Sequence, residues 1–424
     1  MKHAWLVFLA ACGGPSGSGD DTVAPDAAGE GADGSVDAMP PAHIGGWRMR
    51  AGDSTLSYRS STPGPTGTAT LDVFHQNLAS DEFAGLGHPV VDEAGNLYLI
   101  STVPQQPAEL LSLSAAGTMR WKTTLETGWS TGPLALGPDG NVYAHADKST
   151  MSGSTYTYQS KVFVWDAETG APITATPAVD GLGGILLPPD GSVYGMTYTE
   201  EAGYGLYAKS SLGAAPRWTK AEGGDAYALS PAGDMLVTIT VPKTGPHEVV
   251  AFEPQTGAEK WRYPVDAALV SSPTLAIDSD GTIYVALSKR GSDLTVVRLS
   301  KAGAVEWTHV EPSITYPSRI LVGRDTITIA AQTPNYGYAG VVLTKVTGAR
   351  PAGATTPCGE PQAVDSADVI YWSCDSGIKA TTPLGASVGS WTGRFTFQIV
   401  LGPDGSAYDV PAAYFADHQL FRIK

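Results

Sequence analysis

One pattern recurs eight times along this chain: a short apolar strand, a turn carrying Asp or Gly, then a second strand, often with Tyr. It reads PVVDEAGNLYLIS at 89–101, PLALGPDGNVYAHA at 133–146, GILLPPDGSVYGMT at 184–197 and AYALSPAGDMLVTIT at 226–240. It returns as PTLAIDSDGTIYVALS at 273–288, RILVGRDTITIAAQ at 319–332, PQAVDSADVIYWSC at 361–374 and QIVLGPDGSAYDV at 398–410. Self-similarity at a period of this size is the signature of an array of small units, each unable to cover its own apolar faces. Asp-Gly between alternating apolar runs is the strongest short hairpin signal, because glycine accepts the positive φ such turns need.

A second pattern alternates with the first: a strand, a Gly turn, then often Trp. It is seen as LLSLSAAGTMRW (110–121), GLYAKSSLGAAPRW (205–218), VVAFEPQTGAEKW (249–261), VVRLSKAGAVEW (296–307) and GIKATTPLGASVGSW (377–391). VFVWDAETGAPIT (162–174) and VVLTKVTGARP (341–351) carry the turn without the Trp. Two hairpins per repeat give a four-stranded sheet, and stacking such sheets radially buries both faces while protecting most edges. The expected fold is therefore all-β, a propeller of eight blades. Trp121, Trp218, Trp261, Trp307 and Trp391 are expected in one slot, as wedges between blades, where a large ring buries most area.

The first pattern has eight copies but the second only seven, and the last repeat ends at QLFRIK (419–424), its third strand. The apolar segment ATLDVFHQNL (69–78) is expected to supply the absent outer strand and close the ring. Seven blades is the alternative if the irregular copy at Arg319 is not a true blade.

AFEPQTGAEKW (251–261), with Thr256 and Gly257, resembles the tryptophan-docking motif of the quinoprotein (PQQ)-like β-propeller family, with Glu253 where aspartate is usual. VWDAETG (164–170) resembles it at Asp166, Thr169 and Gly170, and GWRMRAGDSTLSYRSSTPGP (46–65) looks like the family's lead-in. The resemblance implies the propeller fold for residues 46–424. For activity it implies either a dehydrogenase using PQQ with calcium or a scaffold with no cofactor. The enzymes with the best-known site stack the quinone on adjacent cysteines, and this chain has none, so the scaffold is the expected reading and no cofactor is expected.

The amino terminus sets the compartment. MKHAWLVFLAAC has a basic start, an apolar run from Ala4 to Ala11 and a stop at Cys12. That is a secretory signal, too short to span a bilayer. Leu9-Ala10-Ala11-Cys12 resembles the bacterial lipobox, which implies a signal peptide over 1–11 and a lipid on Cys12. Gly13 follows, not Asp, which favours the outer membrane by the rule known from enteric bacteria. Residues 12–43 read as a tether: positions 13–42 hold six acidic groups, no basic ones and few bulky apolar side chains. Such a segment cannot bury enough surface to offset its conformational entropy and reaches on the order of 30 Å as a flexible chain. The propeller occupies 44–424. Lipobox, tether and eight blades together resemble, in architecture, the BamB-type lipoproteins of outer-membrane assembly.

A net charge of −16 without basic clusters argues against nucleic acid. In an exported chain Cys358 and Cys374, equidistant from a turn near Ser366 and Ala367, are expected to face each other as a disulfide. Gly52-Asp53-Ser54-Thr55-Leu56 looks like a GDS-type esterase block, but the Asp-x-x-His partner it needs is absent near the carboxyl terminus. Asp278-Ser279-Asp280-Gly281 reads as a hairpin turn, since the same slot holds Asp139-Gly140, Asp190-Gly191 and Asp404-Gly405; no metal is expected, and the eight histidines are scattered.

What remains is surface. The longest insertions, 147–161, 198–205 and 333–340, are rich in Tyr, Ser, Thr and Gly and are expected to be binding loops, with Tyr156, Tyr158, Tyr198, Tyr204, Tyr336 and Tyr338 as contact residues. The expected partner is a protein or glycan of the envelope, met by a monomer; a structural or adhesive surface protein is a further reading. Replacing Cys12 with Ala should move the protein from membranes to the soluble fraction. Unchanged detergent dependence on fractionation would contradict the anchor.

Overall fold

The computed structural model describes residues 59–67, 71–75, 85–87, 89–102, 106–152, 155–176, 179–180, 185–199, 203–224, 226–242, 246–265, 271–288, 293–335, 337–392, 396–411 and 420–424. Cys12, the signal, the tether, Trp47, the GDS-like block and Tyr336 lie outside them, as do the ends of the 69–78 segment. No helix among the described residues is long and apolar enough to cross a membrane.

Eight antiparallel sheets follow one another in chain order, and we number them blades 1 to 8. Blade 5 shows the plan, with Ser271–Ile277, Ile283–Ser288, Leu294–Leu299 and Val305–Glu311 pairing each with the next. Within a blade the side chains alternate between two interfaces, as the period of two requires. In blade 1, Leu97 and Leu99 join the core shared with blades 7 and 8, while Tyr98 and Ile100 join the core shared with blade 2. Every blade therefore needs both neighbours.

Where Asp-Gly marks it, the first turn is one residue longer than a two-residue hairpin would suggest. In blade 2, Gly140 N–H donates to Gly137 O at 3.0 Å and Gly137 N–H to Asn141 O at 2.9 Å, with φ of +79° at Gly140 alone. This is a three-residue loop with glycine in the left-handed region. Asp139 stays right-handed and caps the turn by accepting from Asn141 N–H at 3.1 Å. The turn at Asp278 is of the same kind, and its carboxylate pairs with Lys345 of blade 6 at 2.5 Å.

The ring closes as the strand count requires. Leu71–His75 pairs antiparallel with Leu420–Ile423, Leu71 opposite Ile423, as the outer strand of blade 8. The copy at Arg319 is a true blade, so the count is eight. That blade, number 6, keeps only three strands, Thr315–Val322, Thr326–Gln332 and Tyr338–Thr344. The segment that would be its fourth instead lays Thr355 against the next blade's turn, Thr355 N–H donating to Leu384 O at 3.3 Å. Cys358 and Cys374 form the disulfide, with Cα atoms 5.5 Å apart, just outside the Glu360–Ser373 pair of blade 7.

Four junctions share one device. The indole N–H of a Trp on a fourth strand donates to a carbonyl in the following blade's third-to-fourth-strand turn. The pairs are Trp121 to Ala167 (3.0 Å), Trp218 to Pro254 (2.9 Å), Trp261 to Lys301 (2.9 Å) and Trp307 to Lys345 (2.8 Å). The ring lies flat on that turn's glycine. A Cβ on Gly257 would sit 2.8 Å from the Trp218 ring, and φ there is +70°, so only glycine serves. Thr256 holds the turn by donating to Glu253, which takes the aspartate's place at 3.1 Å.

One expectation is corrected here. Trp261 and Trp307 do lie against the next blade's turn glycines, Gly303 and Gly348, though each ring is only partly buried. Trp391 does not occupy the slot. Gly389 stands opposite Ala380 where the other blades hold Trp, and Trp391 lies two residues on, folded back over Gly389. Its ring is buried, 4% exposed, but its N–H has no partner. The reason lies in the topology: blade 8 takes its outer strand, Leu71–His75, from far upstream, so no third-to-fourth-strand turn joins it to Leu420–Ile423 to accept the indole.

Trp218→Phe should therefore cost about 1–3 kcal/mol more than Trp391→Phe, since it strands the Pro254 carbonyl while the latter removes an unpaired donor. Equal losses of stability in denaturant titrations would contradict the assignment.

Candidate functional site: the hairpin end

Consecutive pairing puts the first and third turns of every blade at one end of the propeller, and the second turn and the link to the next blade at the other. All the indole-to-carbonyl docking lies at the first end, because its acceptors are third turns. All three insertions singled out in the sequence are second turns. They therefore share the opposite end, here called the hairpin end.

They are not loops. Residues 147–161 continue the ladder of blade 2 as a ribbon, Val142–Ser152 against Thr155–Trp165, paired through to Ser152 opposite Thr155. Neighbouring strands follow it only part of the way, Ser130 pairing with Asp147 and Asp180 with Gln159. Beyond the Lys148–Gln159 pair the ribbon runs on for four residues, about 13 Å, with no third strand among the described residues. Thr150 and Thr157 link across it through their hydroxyls at 2.7 Å. Tyr156 and Tyr158 lie on its second strand; their side chains are outside the described residues.

The ribbon's root is built to hold it. Trp129 is buried edge-on against Phe163, ring centroids 6.0 Å apart, with Lys161 Nζ 5.0 Å from the Trp129 centroid and 2.8 Å from Glu126. A cation on a buried ring face, neutralised by a carboxylate, fixes the angle at which the ribbon leaves. His145, also buried, has Nε2 3.1 Å from Asp147 Oδ1. That carboxylate favours the charged form, but burial outweighs it and lowers the imidazole to about 4.

Blade 3 contributes Tyr198 and Tyr204, directly opposite in its second hairpin and half-buried, with ring centroids 4.8 Å apart. On blade 6 Tyr338 stands 44% exposed, its hydroxyl pKa raised first by burial and then by the charge of Glu360. Near it lies a polar network that the sequence did not announce, joining the first strands of blades 6 and 7. Arg319 donates to Gln362 Oε1 at 2.6 Å and pairs with Glu360 at 3.1 Å, and Ser318 donates to Glu360 at 3.0 Å. Arg319, read only as part of an irregular repeat, is the residue that ties this blade to the next. The link into blade 6 is strained, with Ser313 at φ +62° and Tyr316 at φ +48°. Among the described residues no three of His, Cys, Asp or Glu converge as a metal would require.

The comparisons with known proteins agree with the blade plan. Residues 217–352, from the last strand of blade 3 through blade 6, match the family model described as outer membrane protein assembly factor BamB. The quinohemoprotein alcohol dehydrogenase ADHIIG from Pseudomonas putida HK5 superposes with a TM-score of 0.60 at 12% identity, over 90% of this chain and 80% of that one. A europium-containing methanol dehydrogenase gives 0.53 at 14% identity, over 87% and 89%. BamB from Moraxella catarrhalis, 13% identical over 68% of this chain and 96% of its own, gives 0.32, a loose superposition. The comparison with curated proteins found no match.

His145 supplies a pH test of the ribbon's root. Its folded pKa lies below the unfolded value near 6.5, so its contribution is complete above pH 6.5 and is lost as pH falls toward 4. The wild type should lose about 2 kcal/mol more between pH 7.5 and pH 5 than His145→Gln. Parallel losses in the two proteins on thermal unfolding would show that folding leaves the His145 pKa unchanged. By its repeats, its docking turns and its superposition on the quinoprotein enzymes, the chain folds as an eight-bladed β-propeller.

Proposed function

We propose that this protein is a non-catalytic binding module of the cell envelope, anchored by lipid at Cys12 in the outer membrane, that meets a protein or glycan partner through its hairpin end. One observation carries the reading: the two ends of the propeller are differently built. The docking end is taken up by contacts between blades. The hairpin end carries a protruding ribbon on a stiffened root, a cross-strand tyrosine pair beside it on the next blade, and an exposed tyrosine across the ring. Rigidly held hairpins bearing Tyr, Ser and Thr give adaptable polar contacts and amphipathic area at low entropic cost. The match to the outer-membrane assembly family supports a protein partner in the envelope. Similarity to dehydrogenases supports the fold, which hosts both kinds of function.

The test removes the ribbon without touching the ring. Residues 148–159 are replaced by Asn-Gly, which suits a two-residue turn between Asp147 and Ser160. The variant should melt within a few degrees of the wild type, because a ribbon beyond the last third strand buries little area. It should fail to capture the partner that the wild type crosslinks in intact envelopes. Equal capture would refute the proposal. Reduction of a dye by alcohols or sugars after loading with PQQ and calcium would favour the dehydrogenase alternative instead.

A further inference from the structure

Before it becomes the closing strand, the chain crosses the docking end as a strap, residues 59–67. It starts beside the end of blade 7's first strand, where Arg59 bridges Val364 and Ser60 N–H donates to Val364 O at 2.9 Å. It finishes at the same blade's fourth strand, where Gly67 bridges Gly389 and donates to Val388 O. The strap thus runs outward across the whole blade and ends in the slot that lacks its Trp.

Between these points it is bound on both sides. On blade 7, Gly64 N–H donates to Asp365 Oδ2 at 2.7 Å, Tyr371 donates its hydroxyl to Pro65 O at 3.1 Å and Ser366 N–H donates to Thr62 O at 3.3 Å. On blade 8, Thr62 Oγ1 donates to Gly402 O at 3.1 Å. Gly64 is pressed so closely on the buried Tyr371 ring that a Cβ there would overlap the hydroxyl. Asp365 and Tyr371 are fully buried, so the strap's anchors are rigid. The closing strand itself is held more lightly. Among the described residues it has one partner strand, Leu420–Ile423.

We infer that the strap is a load-bearing clasp: tension on the amino-terminal chain is taken up by residues 59–67 and reaches the closing strand only after they let go. The physical argument is one of series attachment. Force applied upstream of Arg59 acts first on the bonds to blade 7, which hold the chain while Leu71–His75 stays unloaded. Without the strap the same force would peel Leu71 directly, exposing a strand edge and an apolar face. The significance of such a load rests on the proposed anchoring through Cys12; the mechanical order does not.

Optical tweezers test the order on the full chain made without lipid, with handles on Cys12 and on Val346→Cys, an 80% exposed turn residue. The disulfide keeps Cys358 and Cys374 out of the handle chemistry. A short first step of about 3 nm, the length of eight extended residues, should precede any larger opening. A second protein, Cys12→Ala with the handle moved to Thr70→Cys, downstream of Gly67, bypasses the strap. It should lose the short step and undergo the larger opening at lower force. If the larger opening comes at the same force from both handles, or if no short step precedes it from Cys12, the clasp is refuted. Failure of the anchor reading would appear separately, as membrane association that survives Cys12→Ala.

Discussion

The ring must close on itself, and every other feature of this structure answers to that requirement. No blade is covered until both neighbours are in place, and one core runs without a break from blade 6 through blades 7 and 8 into blade 1. Tyr371, Tyr408, Leu97 and Ile423, far apart in sequence, are all fully buried there. The structure meets this by splitting blade 8, its outer strand coming from residues 71–75 and its other three from residues 396–423. Closure is thus an association of the two chain ends, with the loop-closure entropy of nearly the whole molecule set against one strand pairing and its core.

The split has a cost at each adjoining junction, and each is met differently. Between blades 8 and 1 no indole is available. Phe74 packs on Gly117, and Arg422, stacked between Phe74 and Tyr408, donates to Ala115 O at 2.6 Å. That carbonyl matches the one that receives Trp121 at the next junction, where Arg120 already shares it at 3.1 Å. The seam therefore keeps the arginine and replaces the indole. Between blades 7 and 8 no turn joins Leu420–Ile423 to the outer strand, Trp391 has no acceptor among the described residues, and the strap occupies the slot instead. Everything that repairs the ring lies at the docking end, which leaves the other end free of that duty.

The sequence carried the fold because the fold is written in repeats. Asp-Gly turns, Gly257 with Thr256, and the surplus of one strand pattern over the other led to eight blades and to the strand that closes them. Cys358 and Cys374 were placed by hairpin symmetry alone. What was not legible depended on contacts between distant segments. The 147–161 ribbon reads as a loop because a strand with no core face has no apolar alternation. Trp391 shares the type of its counterparts but stands six residues after its turn glycine, Gly385, where Trp121, Trp261 and Trp307 stand four after theirs, so the same bulge leaves it two residues past the slot. Arg319 and Glu360 are ordinary surface types until two first strands bring them together. Tyr198 and Tyr204 were expected at a recognition surface, and the structure adds that they face each other across a hairpin.

Docking contacts fill one end of the ring, and the hairpins proposed to meet a partner fill the other. That separation is the central claim, and site-specific photocrosslinking in intact envelopes tests it most directly. A photoreactive side chain replaces Thr150 on the ribbon in one protein and Val346 on a docking-end turn in another. Both positions are exposed, so either can capture what lies against it. Discrete adducts from position 150 and none from position 346 are the predicted result. The reverse, a discrete partner captured at 346 and none at 150, would contradict it.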